Sequence, residues 1–415
     1  MKRCQIAGVL CLLFGFLLCA CSAAPESAAS ESAPAAEEIS LKVVTPWLST
    51  GDKAPGKDGF YQLVRNPQQG SNMIYTDYST KTTVYLCNRP DCQHNDETCP
   101  SWFSFQGGGI FLDAKGEHLF CAIRGDSEQE QAETIWKMDL NGENRQALYT
   151  CAPNESLTDM AISDGTSLYF ATGVADPETW TLNKTLKQLD IQSGKTEDLM
   201  TYQDTAWLFG AFEDELLVQI FDGTSFRYDA YSLKTKTSRT LLTYDENARS
   251  MPSGDSIYVV KPLTDSTAEV LKFNIKTGET SSVCKDIPYF VDTTAVGDIV
   301  DGRMIIHASD TRENDPEKIK VYYYAVNCET GEMTDLPLTY EIGETTDFVN
   351  VVAETGDFFV VTSGTETVKS IANGTDGTPY ELEGTIFIYS LISKSDYWNG
   401  QPNYIKIDNS AIKRL

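Results

Sequence analysis

The chain has 415 residues and a formal net charge of −27 at pH 7. Such an acidic surface argues against binding to nucleic acid and against direct docking on anionic lipid, because both present negative phosphates. Apolar residues make up 41% of the chain, which is enough for a globular core. After the first twenty residues, no apolar stretch is long enough to span a bilayer.

The first twenty residues have the pattern of an export signal. Lys2 and Arg3 form a charged start, and Val9 to Leu18 forms an apolar core that is too short for a membrane span. Residues 18–21, Leu-Cys-Ala-Cys, resemble the lipobox of bacterial lipoproteins. This resemblance implies cleavage before Cys21 and lipid attached to Cys21, which would anchor the protein on the extracytoplasmic face of the cell membrane. An ordinary cleaved signal and an uncleaved anchor are the alternatives.

Residues 21–40 read as a tether between the anchor and a folded domain. After Cys21 the segment consists almost entirely of Ala, Ser, Pro and Glu, with too few apolar residues to bury a core. We therefore divide the chain into a signal peptide (1–20), a lipidated tether (21–40) and a folded domain (41–415).

The domain repeats one pattern, seen most clearly from Gly254 to Val283. A Gly-Asp turn opens one apolar run, and a Thr-Gly-Glu turn closes a second run in which Leu271, Phe273 and Ile275 alternate with other residues. Alternation with period two between glycine turns is typical of half-buried strands in hairpins.

Both turns of this pattern recur seven times. In the second apolar run, one polar residue directly precedes the last apolar residue. This polar residue recurs at spacings of 42 to 63 residues, as Asp77, Asp139, Asp190, Ser232, Asn274, Asn327 and Ser390. The opening turn recurs at Gly59, Gly116, Gly165, Asp214, Gly254, Gly302 and Gly356. Repeats of several short strands at this period indicate propeller blades. We predict an all-β fold, a β-propeller of seven blades with four antiparallel strands each, with six or eight blades and a long β-sandwich as alternatives.

Two features together resemble a known group of proteins. The Thr-Gly-Glu turns at 277–279 and 330–332 are similar to turns of quinoprotein-like propellers. With the lipobox-like segment and the tether, the whole chain resembles uncharacterised surface lipoproteins of Gram-positive anaerobes that carry TolB-like or related β-propellers. This resemblance implies display outside the cell and brings no known activity.

One segment departs from the repeat and is a candidate metal site. Cys87, Cys92, His94 and Cys99 follow the spacing C-x4-C-x-H-x4-C, and three thiolates with one imidazole suffice for a structural zinc ion. Two of these cysteines pairing in a disulfide, or all three remaining free thiols, are the alternatives. Our hypothesis is that the segment is a structural staple without an open position for catalysis.

The two short turns of each repeat should lie on one face of the disc, so the longer connections lie on the other. Those connections are Gly173 to Lys184, Ser309 to Lys318 and Gly364 to Gly384. Because loops on a rigid scaffold commonly carry function, we predict that this face binds the ligand. The candidate residues on it are Trp180, Asp310, Glu313, Asp315, Asp376 and Tyr380. We further expect Leu41 to Val44 to form a strand that closes the ring against the last blade.

The functional prediction is a non-catalytic binding or scaffold module for a protein, peptide or glycan ligand. The chain shows no catalytic motif that we can assign, and we expect a monomer. An extracellular enzyme that acts on polysaccharide through carboxylates in the central channel is one alternative, and an envelope-assembly factor is another.

Overall fold

The computed structural model describes most of the predicted domain. The described residues are 40–66, 70–105, 107–125, 131–179, 181–203, 205–313, 315, 318–373 and 379–412. The predicted signal peptide, Cys21 and nearly all of the tether therefore lie outside the described residues, as do Trp180 and Asp376. Within the described ranges, no helix has the length and apolar character needed to cross a bilayer.

Seven four-stranded antiparallel sheets follow one another along the chain, and each strand pairs with the next. The strand β1 (Lys42–Thr45) precedes them. Blade one consists of β2 (Lys53–Pro55), β3 (Gly59–Arg65), β4 (Ser71–Asp77) and β5 (Thr82–Tyr85), with β6 (Trp102–Phe103) beside β4. Blade two consists of β7 (Gly108–Leu112), β8 (Leu119–Ile123), β9 (Thr134–Met138) and β10 (Gln146–Thr150). Blade three consists of β11 (Glu155–Ser163), β12 (Ser167–Ala175), β13 (Leu182–Asp190) and β14 (Thr196–Tyr202).

The remaining four blades complete the ring. Blade four consists of β15 (Ala206–Phe212), β16 (Glu215–Phe221), β17 (Ser225–Ser232) and β18 (Thr237–Asp245), and blade five of β19 (Arg249–Ser253), β20 (Ser256–Pro262), β21 (Thr267–Asn274) and β22 (Thr280–Pro288). Blade six consists of β23 (Thr294–Val300), β24 (Arg303–Asp310), β25 (Lys320–Asn327) and β26 (Met333–Asp335), and the hairpin of β27 (Thr339–Ile342) and β28 (Thr345–Phe348) follows it. Blade seven consists of β29 (Val351–Thr355), β30 (Phe358–Asn373), β31 (Pro379–Ser393) and β32 (Ile405–Lys406), with the helix α1 (Lys394–Trp398) before β32. The predicted seven-bladed, all-β propeller is confirmed.

The repeated polar residue shapes the turn between the third and fourth strands of a blade. In blade five, Asn274 Oδ1 accepts hydrogen bonds from the backbone N–H groups of Lys276 and Thr277 at 3.0 and 2.8 Å. Gly278 then adopts φ = +73°, a conformation that costs glycine little. Asp190 and Asn327 bind their own turns in the same way. These turns and the first-to-second-strand turns share one side of the ring, which we call the short-turn face; the opposite side is the long-loop face.

Seven clusters of buried apolar side chains, one at each interface between neighbouring blades, form the core of the described residues. Between blades two and three, for example, Phe111 and Phe120 pack with Leu168 and Phe170, all with no exposed surface. Burying one such side chain contributes about 1.5–3 kcal/mol. A single blade could not hide both of its faces, so the ring folds as a whole.

The strand β1 does not close the ring, and our prediction for Leu41 to Val44 is wrong. It pairs antiparallel with β11, the innermost strand of blade three, from Lys42 opposite Ser163 to Thr45 opposite Ala161. The innermost strand of a blade has a free edge whose N–H and C=O groups attract another strand. The apolar pattern of β1 is equally compatible with any such edge, so the pattern alone did not identify the partner.

The direction of β1 shows where the domain begins. The Leu41 N–H donates to the carbonyl of Glu213, in a turn on the short-turn face, and the Leu48 N–H donates to the carbonyl of Asp159, halfway along β11. The chain therefore enters at the short-turn face and runs along the inside of the ring towards the long-loop face.

Blades one and seven share no strand among the described residues. Phe60 of blade one packs with Val360, Leu391 and Ile407 of the chain end, in a cluster of six buried side chains. A short parallel bridge supports this contact. Its two hydrogen bonds run from the Thr83 N–H to the carbonyl of Asp408 at 2.7 Å and from the Asp408 N–H to the carbonyl of Lys81 at 2.8 Å.

Blade seven extends beyond the ring. Its strands β30 and β31 pair continuously, apart from one irregularity, from Phe358 opposite Ser393 to Asn373 opposite Pro379. The segment Gly364 to Gly384, which we expected to be a loop, is largely a two-stranded arm. The segment contains Thr365, Thr367, Val368 and Ile371, which are β-branched residues that favour strand structure.

An ion pair is buried where blades three and four meet. Lys184 Nζ lies 2.9 Å from Asp159 Oδ1, and the two side chains are 3% and 2% exposed. Lys184 also donates to the carbonyl of Ala206, while Asp159 Oδ2 accepts from Tyr202 Oη and from the Leu208 N–H. Satisfying the remaining hydrogen-bonding groups is what makes a buried pair tolerable.

We predict that Lys184→Met lowers the free energy of unfolding by about 3–5 kcal/mol, because it leaves the Asp159 carboxylate buried without a counter-charge. Adding Asp159→Asn should restore much of the loss, since no unpaired charge then remains. Lys236→Met is the control: its partner Glu197 is 63% exposed, and surface pairs contribute about 1 kcal/mol or less. Denaturant unfolding followed by tryptophan fluorescence measures all three; equal effects of Lys184→Met and Lys236→Met would contradict the prediction.

Candidate metal centre and ligand face

The cysteine-rich segment 87–99 links blade one to blade two on the long-loop face. Two of its residues, Asp91 and His94, adopt left-handed conformations with φ of +60° and +56°. The Arg89 guanidinium donates to the carbonyl of Thr98, which ties the two ends of the segment together. The segment therefore doubles back on itself and brings distant positions of the sequence side by side.

The four predicted ligands converge. Their ligand atoms, the sulfurs of Cys87, Cys92 and Cys99 and one ring nitrogen of His94, all lie within 4.8 Å of one another. The His94 Nδ1 lies 3.3 Å from Cys99 Sγ. Around a tetrahedral zinc with bonds of about 2.0–2.3 Å, ligand atoms are separated by roughly 3.3–3.8 Å. The cluster thus has the donor types and nearly the spacing needed to hold a metal ion, and the seven cysteines of the described residues are all unpaired.

The thiols of the cluster differ in acidity. Burial raises the pKa of Cys99 to about 12. Burial also acts to raise the pKa of Cys92, but hydrogen bonds from the His94 backbone and from the thiols of Cys99 and Cys87 outweigh it and lower the pKa overall. A metal binds thiolates, so its binding must displace the protons, and affinity must fall in acid.

A second layer of contacts holds His94 in place. The side-chain amides of Asn66 and Asn72, both buried, each donate to its backbone carbonyl at 2.9 Å. The Tyr85 ring stacks on the imidazole with centroids 4.2 Å apart. Such outer contacts orient metal ligands and keep a left-handed residue in its conformation. The sequence offered no motif for Asn66 and Asn72, which lie 28 and 22 residues before His94.

Blade two holds the other end of the segment. Arg145 donates to the carbonyls of Trp102, at 2.7 Å, and Pro100, and its guanidinium lies 3.7 Å from the centre of the Phe103 ring. Burial lowers the pKa of Arg145 to about 10. The cluster therefore sits in a segment that is fastened to two neighbouring blades, as expected of a structural staple.

The predicted ligand-face residues lie in two connections within the described chain. Asp310 is the last residue of β24, and Glu313 and Asp315 lie in the connection from β24 to β25 of blade six. Tyr380 lies on β31 of the blade-seven arm, opposite Ala372. Arg312 pairs with Asp310 at 2.7 Å and lowers the pKa of Asp310 to about 2 through its hydrogen bonds. Lys318 lies 2.9 Å from Glu313 and 3.8 Å from Asp315. The acidic candidates are thus engaged by local bases, and their role in ligand binding stays a prediction.

The innermost strands β2, β7, β11, β15, β19, β23 and β29 carry four carboxylates. Three of them, Glu155, Asp159 and Glu354, accept hydrogen bonds from described residues. Asp298, on β23, has no hydrogen-bond partner among the described residues, and partial loss of its hydration raises its pKa although its side chain still contacts solvent.

No protein family profile matches the sequence, and no curated protein matches it either. Among solved structures, the chain is similar to a Mycobacterium tuberculosis puromycin-hydrolyzing peptidase, with a TM-score of 0.50 and 10% identity over 89% of this chain and 54% of that one. It is also similar to an oligogalacturonate lyase in complex with manganese (TM-score 0.48, 12% identity, 87% and 99% coverage) and to TolB from Acinetobacter baumannii (0.36, 12%, 68% and 64%). The chain spans about half the length of the peptidase. At 10% identity, the likeness to the peptidase concerns the fold alone.

We predict that the purified protein binds one zinc ion, and that Cys99→Ser and His94→Asn each abolish stoichiometric binding, because structural zinc requires four protein ligands. Chelation should lower the thermal midpoint of the wild type, and acid should release the metal. Metal analysis and native mass spectrometry measure the binding. Cys284→Ser, in blade five, is the control that keeps the metal; a mass two daltons low without zinc would establish the disulfide instead.

Proposed function

We propose that this propeller is a lipid-anchored, extracytoplasmic binding or scaffold module that presents its long-loop face to a protein, peptide or glycan ligand. The observation that carries this proposal is the course of β1. Because the domain begins at the short-turn face, beside Glu213, an anchor at Cys21 joins the domain from that side. The long-loop face, with its arm and its longer connections, is then free of the attachment point.

The carboxylates beside the channel favour binding over cleavage. Glycoside hydrolysis commonly uses two carboxyl groups about 5–10 Å apart, one of them ionised and free to act on the sugar. Asp159 is neutralised by Lys184, and Glu354 is bonded to the Asp301 N–H and to Lys394. Three of the four carboxylates therefore already have structural partners.

Polysaccharide cleavage is the second candidate function. The observation that favours it is Asp298, whose raised pKa and lack of a described partner are properties of a general acid. A matching second carboxylate would have to come from another part of the channel wall.

The metal centre belongs to the scaffold in this proposal. Cys87, Cys92, His94 and Cys99 would supply all four ligands of a structural zinc ion, which leaves no open coordination position. Such an ion would fasten blade one to the connection that leads into blade two and so stabilise one side of the ligand face.

Lipid attachment is tested by Cys21→Ala. We expect the wild type to incorporate labelled palmitate and to partition with membranes, whereas the variant should remain unlabelled and appear in the soluble extracytoplasmic fraction. Cys284→Ser, a cysteine substitution within the domain and away from the metal centre, is the control and should still be labelled. Unchanged labelling of Cys21→Ala would refute the anchor.

The assignment of the ligand face can be tested with two matched epitope insertions. Gly223 lies in the second-to-third-strand turn of blade four, on the long-loop face, and Gly278 lies in a turn of the short-turn face; both have positive φ and open space around them. A Fab fragment bound at an epitope after Gly223 should block capture of the ligand found by cross-linking on intact cells or by polysaccharide screening. The same Fab at Gly278 should not, and equal effects at both sites would contradict the assignment.

A further inference from the structure

The long-loop face contains a cavity that none of the predicted site residues line. It has a volume of about 520 Å³ and opens between blades four and five. Residues of the connection that leads from blade five to blade six lie at its edge. Pockets that bind small ligands typically measure about 300–1,000 Å³. The cavity is therefore large enough for one or two rings of a ligand.

One wall of the cavity is a row of aromatic rings. Phe221, Phe226 and Tyr244 are cross-strand neighbours on β16, β17 and β18. The ring centroids of Phe221 and Phe226 lie 4.8 Å apart, and those of Phe226 and Tyr244 lie 5.6 Å apart with an interplanar angle of 18°. All three are only partly buried. Because rigid strands hold them, these rings form a preorganised apolar surface at the mouth of the cavity.

A cluster of polar groups lies next to the aromatic row. Ser250 Oγ lies 2.6 Å from Tyr244 Oη and 3.0 Å from Tyr228 Oη, and Gln219 Nε2 reaches Tyr244 Oη and Ser250 Oγ at 2.5 and 3.1 Å. The other polar atom of the Gln219 amide, its oxygen, has no partner among the described residues. The cluster therefore offers a fixed hydrogen-bonding group beside an apolar wall, the combination that fixes the orientation of a bound ligand.

The charges at the rim select against an anionic ligand. Glu246 and Asp292 are exposed there. The only base that lines the described cavity is Arg249, whose guanidinium already donates to the backbone carbonyls of Glu246, Ala248 and Val291 at 3.4, 3.1 and 2.8 Å. With a net charge of −27 on the chain, a polyanion would be repelled on approach.

We infer that this cavity binds a neutral glycan, with the apolar face of a sugar ring packed against the exposed edges of the Phe221, Phe226 and Tyr244 rings and a sugar hydroxyl bound by the free oxygen of the Gln219 amide. A pyranose ring has the matching properties, since its C–H groups form an apolar face and its hydroxyls lie around the edge. This inference rests on the proposed binding function and names the class of ligand and its site. A peptide ligand would instead seek a free strand edge or a deep apolar groove.

The test uses the full-length protein purified in detergent and a panel of neutral hexasaccharides, namely cellohexaose, xylohexaose, mannohexaose and maltohexaose. We expect isothermal titration calorimetry to detect binding of at least one of them. Phe226→Ala should weaken that binding at least tenfold, which corresponds to about 1.4 kcal/mol. Gln219→Leu should weaken it as well, and it carries the test if Phe226→Ala fails to fold, as thermal unfolding would show.

Phe387→Ala is the matched control. Phe387 is 44% exposed and lines a different cavity of about 340 Å³, at the junction of blades one and seven, so its removal should change affinity less than twofold. Absence of binding to all four sugars, or wild-type affinity of both Phe226→Ala and Gln219→Leu, would overturn the inference. If a Fab bound at the Gly223 epitope still blocked capture of a protein partner, the proposed binding module would stand although the glycan inference had failed. The failure of the inference can therefore be distinguished from the failure of the proposed function.

Discussion

The structure depends on closing a ring whose first and last blades share no strand in the part of the chain that is described. Six of the seven blade interfaces join blades that are consecutive in the sequence, but the contact of blade seven with blade one brings together residues as far apart as Phe60 and Ile407. That interface is also the smallest, with six buried apolar side chains against thirteen between blades two and three. Because no shared strand secures the junction, side-chain packing around Phe60 and the short bridge at Asp408 must hold the ring closed.

Blade one borders this smallest interface, and several further contacts support it. Its outermost strand β5 is hydrogen-bonded to Asp408 of the chain end, and its strand β4 pairs with the extra strand β6. The segment 87–99 folds against the long-loop side of the same blade. The convergence of three thiols and an imidazole in that segment gives a metal ion the opportunity to cross-link it. Arg145 adds a link to blade two, so the blade beside the weakest interface is supported from its other side.

The two faces of the ring differ for a reason that lies in the topology. In six of the seven blades, the turns from the first to the second strand and from the third to the fourth strand are short, and polar side chains such as Asn274 stabilise several of them. In blade seven, the third-to-fourth-strand connection contains the helix α1. The longer of the other connections form the segment 87–99, the arm of blade seven and the rim of the aromatic cavity. The inner strand β1 brings the chain into the ring from the short-turn side.

The amino-acid sequence determined the features that arise from local chemistry. The seven pairs of turns, the alternating strands and the grouping of Cys87, Cys92, His94 and Cys99 all follow from neighbouring residues, so they could be predicted. The partner of β1, the buried pair of Asp159 with Lys184 and the row of Phe221, Phe226 and Tyr244 could not, because each joins residues from separate strands or blades. A free strand edge accepts any suitable strand, and an aromatic residue on a strand is equally compatible with a core or a cavity wall. Only the closed ring decides which edges remain free and where neighbouring blades part, since those properties belong to the packing of all seven blades together.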